Sequence, residues 1–454
     1  MRLLSTLIVA AIAVHAKTSD RASNFPVSQQ LASEYDCREA CQATLVKTNA
    51  KDLSIFDTPF DFDFYATAKN FSNSKPGDVL KLSPINPGIM AVPAGVAAYK
   101  IQYTSTDLDG SPVPATGFIA FPFVRQNRPF RLVAYAHGTT GMFRGCAPST
   151  SSALFDYNSW TPLVLTGYAV VGTDYAGLGN NYTAHKYVAS RANANDVYWS
   201  VIAARKAFPL NLSKGWVSIG HSQGGGACWK LSEHKLVQSE HSGYLGGVSI
   251  GPVTYLHDAL LDGFSKLKDL TSEQLDDFGI VTILPSMAFA LKAVFPKYSP
   301  PYFSDLMKRR IELGQFAQLC DTALSGLVMD ANLTQLIKND DFVKDINIKK
   351  FQELNAPAQG DKASRPLLVI QGGNDSIVFP GITNKAYQNS CKTGNVVHLS
   401  VYPDLDHTAV VGASAPEWLE FVNKLFQHAS LTTCSRKVTI PFDAVHARKP
   451  LDTE

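Results

Sequence analysis

Seven short runs of apolar and β-branched residues recur along this chain of 454 residues. They cover residues 116–121, 131–136, 168–172, 216–219, 247–250, 367–371 and 396–401. Apolar and polar residues do not alternate within them, which is typical of strands covered on both faces. Helical patterns, such as those at 194–207 and 224–239, lie between several of the runs. The succession predicts an α/β fold, with a mostly parallel, doubly wound sheet and helices on both faces.

The alternation of strands and helices stops between residues 250 and 367. Helical patterns at 287–295 and 302–319 occupy this interval, separated by a Ser-Pro-Pro break. We interpret the interval as a helical cap inserted into the core, because two domains in series would leave the last two strands without a sheet. The predicted division is an N-terminal segment that wraps the core at 17–93, the core at 94–252 and 361–430, the cap at 253–360, and a C-terminal tail at 431–454.

The first residues have the features of a secretory signal peptide. Arg2 supplies a positive charge, an apolar stretch follows at 3–14, and Val-His-Ala at 14–16 resembles a cleavage site. The apolar stretch is shorter than the roughly 20 residues that a membrane span needs. We therefore expect residues 1–16 to be a signal peptide and the mature protein to be secreted; the alternative is a buried N-terminal helix.

Seven cysteines agree with a secreted protein, because disulfides form in oxidising compartments. The odd number leaves at least one cysteine unpaired, and Cys228 is the candidate because its helix should be buried against the sheet. Cys37 and Cys41 are close in sequence, and we expect them to pair with each other. A zinc site is the alternative, but neither a second close cysteine pair nor a nearby histidine pair supports it. No metal is expected.

A Gly-x-Ser-x-Gly sequence at 220–224 directly follows the apolar run at 216–219 and precedes a helical pattern. In this position Ser222 would sit on a sharp turn from strand to helix, as a nucleophilic serine does. Gly220 and Gly224 would be required there, since a β-carbon at either position would collide as the chain reverses. The alternative is an ordinary turn, in which glycine and serine are common.

Asp375 and His407 each follow a predicted strand, as does Ser222. Side chains at the carboxyl ends of parallel strands meet at one edge of the sheet. The order Ser, Asp, His is that of α/β-hydrolases. Separately, Asp375 could be the N-cap of a helix and His407 a surface histidine. Asp404 and Asp406 are alternative acids, although they are too close to His407 in sequence to reach its ring easily.

Nucleophilic attack by such a serine also needs donors for the oxyanion of the tetrahedral intermediate. One candidate is the backbone N–H of Gln223, and the second comes from the glycine-bearing loop at 135–141, where Thr139 and Thr140 could add a hydroxyl. The alternative is a plain turn in which His137 is a structural histidine. Asp174, at the end of another strand, is interpreted as a structural carboxylate that binds loop N–H groups.

Sequons for N-glycosylation occur at five positions, and four are expected to carry glycans: Asn70, Asn181, Asn211 and Asn332. The fifth, Asn374, precedes Asp375, where a glycan would obstruct the candidate triad, and we expect it to be unmodified. The formal net charge of +2, with no basic stripe, gives no electrostatic basis for a nucleic-acid partner.

The chain resembles the fungal secretory lipase family of α/β-hydrolases. The similar segments lie at 173–179, 220–225, 372–375 and 406–407, with Cys-Ala-Pro-Ser at 146–149 and the long insertion before the acid strand. The resemblance extends from about residue 62 to residue 426. It implies an α/β-hydrolase fold with a helical cap over the site, and the hydrolysis of carboxylic esters, often acylglycerols.

The resemblance also implies roles for particular residues. Ser222 would be the nucleophile, Asp375 the acid and His407 the base, with Gln223 and Thr140 forming the oxyanion hole. Some members have an acidic residue where this chain has Thr140, and a hydroxyl there is compatible with binding an oxyanion. Two disulfides are implied in addition, one between the cap and the core and one near the C-terminus: Cys146–Cys320 and Cys391–Cys434.

Together, these features predict a secreted, monomeric serine hydrolase that cleaves small-molecule or lipid esters without a cofactor. The segment at 287–295 is either a lid that contacts a lipid interface or the wall of a closed pocket for small esters. In the second case the enzyme would deacetylate secondary metabolites such as trichothecenes. A peptidase is a weaker alternative. A non-catalytic binding protein of the same fold is more remote, because such proteins typically lose a triad residue.

Overall fold

The computed structural model of the protein describes residues 20–267, 281–338, 341 and 344–447. The predicted signal peptide at 1–16 lies outside these residues. Of the helices within them, none combines the length and the apolar character that crossing a membrane requires.

A single sheet is formed by the strands of the described residues. They are β1 (Val79–Pro84), β2 (Ala97–Thr106), β3 (Pro112–Phe121), β4 (Phe130–Ala136), β5 (Ala169–Thr173), β6 (Leu212–His221), β7 (Tyr244–Ile250), β8 (Leu367–Gly372), β9 (Val397–Tyr402) and β10 (Ser435–Val438). Their order is β1-β2-β3-β5-β4-β6-β7-β8-β9-β10. From β5 to β10 in this order all neighbours are parallel, whereas β1, β2 and β3 pair antiparallel. The prediction of a mostly parallel sheet is confirmed.

The α-helices of the described residues connect the strands or lie in the predicted N-terminal and cap segments. They are α1 (Gln29–Glu34), α2 (Glu39–Ile55), α3 (Phe62–Tyr65), α4 (Thr161–Leu165), α5 (Ser190–Ala207), α6 (Gln223–Ser232), α7 (Leu256–Leu267), α8 (Leu284–Val294), α9 (Asp305–Ala317), α10 (Asp321–Gly326), α11 (Leu333–Leu336), α12 (Ile346–Asn355), α13 (Pro380–Lys392), α14 (Ala409–Ala413) and α15 (Ala415–Phe426).

Helices cover both faces of the sheet. Val133 of β4 packs in one apolar cluster with Trp418 of α15, and its neighbour Leu132 packs on the opposite face with Val197 of α5. Both strand residues are fully buried. Burial on both faces explains why the strands read as continuous apolar runs without alternation.

The described part of the interval between β7 and β8 contains helices α7 to α12. Its apolar side chains, among them Met287 and Leu313, form a cluster separate from those on the two sheet faces. Leu45 of α2 belongs to the same cluster, so the N-terminal segment packs against the cap as well as the core. Met142 and Tyr187, which follow strands β4 and β5, also join it, so the helices of this interval pack against the loops after those strands.

Three disulfides are present: Cys37–Cys41, Cys146–Cys320 and Cys391–Cys434. All three pairings agree with the predictions. Cys228 is free and buried, also as predicted. Because Cys37 and Cys41 are bonded to each other, their thiolates are not available as zinc ligands.

The structure differs from the sequence-based expectations in three strands and in one helix. Strand β2 lies in the predicted core segment but was not predicted, because polar residues such as Lys100, Gln102 and Thr104 interrupt its apolar ones. Strands β1 and β10 lie inside the segments predicted to be a wrapping segment and a tail, and their exposed residues hide them from a search for apolar runs. The helix predicted at 224–239 ends at Ser232. Glu233 there turns inward and accepts the N–H of Ala358 at 2.8 Å, and His234 caps a new turn through the N–H of Leu236.

Candidate active site

Ser222 occupies the turn between β6 and α6, with φ of 56° and ψ of −119°. A positive φ is costly for a residue with a side chain, and such strain concentrates at functional sites. A β-carbon on Gly220 would collide with the backbone of Gly224, and one on Gly224 would collide with the backbone of Ala136. The two glycines therefore permit the sharp turn that the sequence predicts.

The backbone of Ser222 is fixed to the end of the neighbouring strand β7. Its N–H donates to the carbonyl of Ile250 at 2.9 Å, and its carbonyl accepts the N–H of Val253 at 3.1 Å. The same carbonyl accepts the N–H of Gly226 in α6 at 3.0 Å. Ser222 is 7% exposed, so it lies just beneath the surface at the C-terminal edge of the sheet.

Asp375 follows β8 and has both carboxylate oxygens engaged. Oδ1 accepts the backbone N–H groups of Ile377 at 3.0 Å and Val378 at 2.7 Å. Oδ2 accepts the side-chain amide of Gln371 at 3.1 Å and lies 2.7 Å from Nδ1 of His407. The buried carboxylate is thus held rigidly, with one oxygen directed at the imidazole.

Gly251 brings the Asp375–His407 pair next to Ser222. A β-carbon on Gly251 would lie 3.2 Å from the ring of His407 and 3.5 Å from Oδ2 of Asp375. Its predecessor Ile250 accepts the N–H of Ser222. The three residues therefore converge at the edge formed by strands β6 to β9, and His407 is 8% exposed there.

The alternative acids occupy different environments. Asp406 binds the backbone where α14 begins, because its Oδ1 accepts the N–H groups of Thr408 at 2.9 Å and Ala409 at 2.7 Å. Asp404 is exposed. Neither occupies the position beside the imidazole that Asp375 holds. Among the described residues, no group of histidine, cysteine and acidic side chains is arranged to hold a metal ion.

The loop after β4 approaches Ser222 from the other side. A β-carbon on Gly138 would lie 3.6 Å from Cβ of Ser222. The hydroxyl of Thr140 is buried and has no hydrogen-bond partner within the part of the chain that the structure describes. Thr139 donates its hydroxyl to Tyr187 at 3.1 Å. The two threonines thus differ, and Thr140 has the hydroxyl that is free to bind a ligand.

The cap holds this loop from outside. Asp321, the first residue of α10, donates its N–H to the carbonyl of Thr140 at 3.1 Å. The next residue, Gly141, forms a β-bridge with Cys320, which is itself bonded to Cys146. The disulfide and the bridge therefore fix the position of Thr140 relative to the cap.

Gln223 has its backbone N–H at the first position of α6, where helix geometry provides no acceptor. Its side-chain amide donates to Nε2 of His185 at 3.0 Å and to Oδ1 of Asn193 at 3.3 Å. Burial lowers the pKa of His185 to about 3, so this imidazole is neutral and can accept the hydrogen bond. Nδ1 of His185 lies 3.3 Å from the carbonyl of Ala176.

Asp174 and His137 lie behind the site. Oδ2 of Asp174 accepts the hydroxyls of Thr116 at 2.7 Å and Ser149 at 2.5 Å, and Oδ1 accepts the N–H of Ser149 at 2.9 Å. Burial raises the pKa of Asp174 to about 6 and lowers that of His137 to about 4. The ring nitrogens of His137 face the carbonyls of Gly138 and Asp174. These contacts tie neighbouring loops together, as structural residues do.

Several residues around the site were not singled out by sequence reasoning. They are Tyr157, His185, Asn193 and His221. The only signal available was that His221 lies inside the Gly-x-Ser-x-Gly sequence. The other three come from loops and a helix whose approach to Ser222 depends on the tertiary fold. The predicted glycan sites Asn70, Asn181, Asn211 and Asn332 are all exposed, and so is Asn374.

Comparison with known families and sequences points to secreted lipases. The model of the family described as Secretory lipase matches residues 144–433, which is more than half of the chain. The chain is 25% identical to Lipase 10 of Candida albicans over 410 residues, covering 84% of each sequence. It is 24% identical to Lipase 6 of the same organism, covering 84% of this chain and 85% of that sequence.

Solved structures of two esterases have the same fold. Candida antarctica lipase A matches with a TM-score of 0.62 and 16% identity, covering 85% of this chain and 90% of the lipase. The rice cell wall degrading esterase LipA from Xanthomonas oryzae matches with a TM-score of 0.59 and 18% identity, covering 77% of this chain and 100% of the esterase. The predicted α/β-hydrolase fold is confirmed.

Proposed function

Because this chain belongs to the secretory lipase family and is a carboxylic ester hydrolase, we propose that it cleaves esters through a triad of Ser222, His407 and Asp375. The observation that supports this most strongly is the 2.7 Å contact between Nδ1 of His407 and Oδ2 of Asp375. It lies at the sheet edge where Ser222 is held on a strained turn. An acid, a base and a nucleophile in that arrangement have the parts of a serine esterase.

In the first half of the reaction, Ser222 Oγ attacks the ester carbonyl while Nε2 of His407 takes its proton. Asp375 keeps the hydrogen of the neutral imidazole on Nδ1, so that Nε2 is free to act as base. It also stabilises the imidazolium that forms. The four contacts to the Asp375 carboxylate keep its geometry fixed during this change of charge.

The oxyanion of the tetrahedral intermediate is bound by the backbone N–H of Gln223 and by the hydroxyl of Thr140. A donor kept for the transition state should have no other partner in the free enzyme, and the Thr140 hydroxyl meets this condition. Thr139 is less suited to give its hydroxyl, which Tyr187 already accepts. We assign Thr139 to positioning the loop.

Collapse of the intermediate breaks the bond to the alcohol, which leaves with the proton from His407, and forms an ester between Ser222 and the acyl group. Water then attacks this acyl-enzyme with His407 again as base, which releases the carboxylic acid and restores Ser222. Every proton in the cycle passes through His407. No cofactor is needed for this chemistry.

The acyl group is expected to contact apolar residues where the cap meets the oxyanion loop. Phe143 packs edge-on against Phe289 of α8, with ring centroids 5.3 Å apart. Met142 belongs to the same apolar cluster. This surface fits an acyl chain and favours lipid esters, with small acetylated metabolites such as trichothecenes as the second candidate.

The family and the disulfides both support secretion. We propose in addition that residues 1–16 are the signal peptide and that the mature enzyme is a monomer. The cap would contact the lipid interface if long-chain esters are the substrates. Contact with an interface makes activity depend on the presence of an emulsion or vesicle.

Hydrolysis of an ester series tests this proposal. Acyl chains from acetyl to oleoyl are assayed with and without an oil–water interface, with Ser222→Ala as the blank. A lipase gives its highest kcat/KM on long chains at the interface. Preference for acetyl esters in solution would support the small-ester alternative, and activity that survives in Ser222→Ala would contradict the proposed triad.

A further inference from the structure

His221, the last residue of β6, connects parts of the site that come from three different segments. Its Nε2 lies 2.9 Å from the backbone carbonyl of His407. Its Nδ1 lies 3.1 Å from the hydroxyl of Tyr157, which also accepts the N–H of Gly138 at 3.2 Å. The imidazole next to the proposed nucleophile therefore links the loop of the base with the oxyanion loop.

These contacts determine which nitrogen of His221 carries the hydrogen. A carbonyl oxygen only accepts, so Nε2 of His221 must be the donor to His407. Burial and the neighbouring His407 lower the pKa of His221 well below its usual value, so the ring is neutral. Nδ1 then has a lone pair and accepts the hydroxyl hydrogen of Tyr157, while the Tyr157 oxygen accepts the N–H of Gly138.

Neutrality of His221 matters because its ring centroid lies 4.6 Å from that of His407. His407 becomes positively charged when it takes the proton from Ser222. A second positive charge at this distance would oppose that step, since like charges disfavour each other's protonation. A neutral donor can hold the base in place without adding a positive charge beside it.

His407 needs such a restraint because its segment is only partly buried. Pro403 and Asp404 are exposed, whereas His407 itself is buried. The bond from Asp375 orients the imidazole. Other bonds hold the main chain on either side of His407: the carbonyl of Leu405 accepts the N–H of Asn374 at 3.1 Å, and Asp406 accepts the N–H groups that follow His407. The bond from His221 holds the main chain at His407 itself, and the position of that residue's main chain determines where its Nε2 lies.

We propose that His221 is a positioning residue. By donating to the backbone carbonyl of His407, it fixes the position of this base relative to Ser222 and the oxyanion loop. Tyr157 contributes by donating its hydroxyl hydrogen to the His221 ring and accepting the N–H of Gly138. The residue acts through His407 and does not touch the substrate. Because it has this role only if Ser222 and His407 act as proposed, the inference rests on the proposed function.

Two substitutions of similar length separate this role from simple packing. His221→Gln keeps an N–H that can reach the His407 carbonyl, whereas His221→Met has no donor. With active sites counted by a fluorophosphonate, we expect His221→Met to lower kcat by about 10- to 100-fold, because small displacements of a base are costly. KM should change by less than about twofold. His221→Gln should recover kcat to within about fivefold of the wild type.

Each result bears on the inference. Wild-type kcat in a folded His221→Met enzyme would overturn it, as would equal losses in the Gln and Met variants. If His221→Met does not fold, Tyr157→Phe takes its place: a kcat loss of about 3- to 10-fold with unchanged KM supports the inference, and an unchanged kcat overturns it.

Ser222→Ala, assayed alongside, distinguishes a failure of the proposed function from a failure of this inference. Activity in that variant would overturn the proposed function and this inference together, whereas an inactive Ser222→Ala beside a fully active His221→Met overturns the inference alone.

Discussion

The side-chain amide of Gln223 donates a hydrogen bond to Nε2 of His185 at 3.0 Å. This contact fixes the residue that follows Ser222, and the backbone N–H of the same residue is the proposed oxyanion donor. Asn193 of α5 accepts a second hydrogen bond from the amide at 3.3 Å. The position of a backbone donor is thus controlled through its own side chain.

Gln223→Met tests whether this anchor contributes to catalysis. The substitution keeps the backbone N–H and the side-chain length but removes both hydrogen bonds. We expect kcat to fall by about 5- to 20-fold with KM nearly unchanged, because a displaced donor binds the transition state less well than a fixed one. Steady-state kinetics on a soluble p-nitrophenyl ester measures both constants. A kcat equal to that of the wild type would show that the anchor has no catalytic role.

The neutral His185 makes stability depend on pH in a defined direction. Its pKa is about 3 in the folded protein and 6.5 as the reference value for the unfolded chain. Below pH 6.5 the unfolded state binds a proton that the folded state does not. The histidine's contribution is therefore fully present above pH 6.5 and is lost as the pH falls toward 3, by about 1.4 kcal/mol per pH unit.

Comparison with His185→Gln isolates this contribution, because the buried carboxylates are common to both proteins. The free energy of unfolding in urea, measured from pH 7 to pH 4, should fall more steeply for the wild type. The difference between the two proteins should change by about 1.4 kcal/mol per pH unit below pH 6. A difference that is independent of pH would contradict a neutral, buried His185.

Thr140→Val removes the hydroxyl assigned to the oxyanion hole with little change in shape. We expect kcat to fall by about 10²- to 10³-fold, the usual cost of losing one oxyanion donor. Thr140→Ser should keep most of the activity. Thr139→Val is the matched control, because its hydroxyl is bonded to Tyr187, and a smaller loss is expected there. Equal effects at both positions would contradict the assignment of Thr140.

The disulfide Cys146–Cys320 should support both stability and the oxyanion loop. It closes a sequence separation of 174 residues, and its removal by Ser substitution at both positions should cost about 2–5 kcal/mol of unfolding free energy. Because Cys320 also bridges Gly141 beside Thr140, we expect kcat to fall by about 10-fold as well.

Removing Cys391–Cys434 provides the control for that experiment. Cys434 contacts the N–H of Val397 at the start of β9, the end of the strand far from His407. We expect this double substitution to lower stability while leaving kcat unchanged. If both double variants lost stability and neither lost kcat, the cap disulfide would have no part in positioning the loop.

The sequence predicts those features of the structure that depend on nearby residues, and it misses those that depend on contacts between distant segments. The central strands were predictable because residues such as Leu132 and Val133 are buried on opposite faces and leave a continuous apolar run. The edge strand β10 was missed because all four of its residues are exposed. Its pairing with β9 depends on backbone hydrogen bonds, which every residue type except proline can form and which therefore leave no pattern in the sequence.

The same distinction applies to the candidate site. Ser222, Asp375 and His407 each follow a strand, so a local pattern together with chain order was enough to group them. Tyr157 and His185 reach the site through loops, and neither has a recognisable spacing to Ser222. Their contacts depend on how those loops pack, which only the folded structure reveals.

Reaction of the intact protein with a fluorophosphonate, followed by mass spectrometry of its peptides, tests the triad most directly. One phosphonyl group per molecule should be found on Ser222, at a rate that falls by about 10³-fold or more in His407→Ala and Asp375→Asn. Ser222→Ala should remain unlabelled. Labelling at another serine, or full labelling of Ser222 when His407 is absent, would contradict the proposed mechanism.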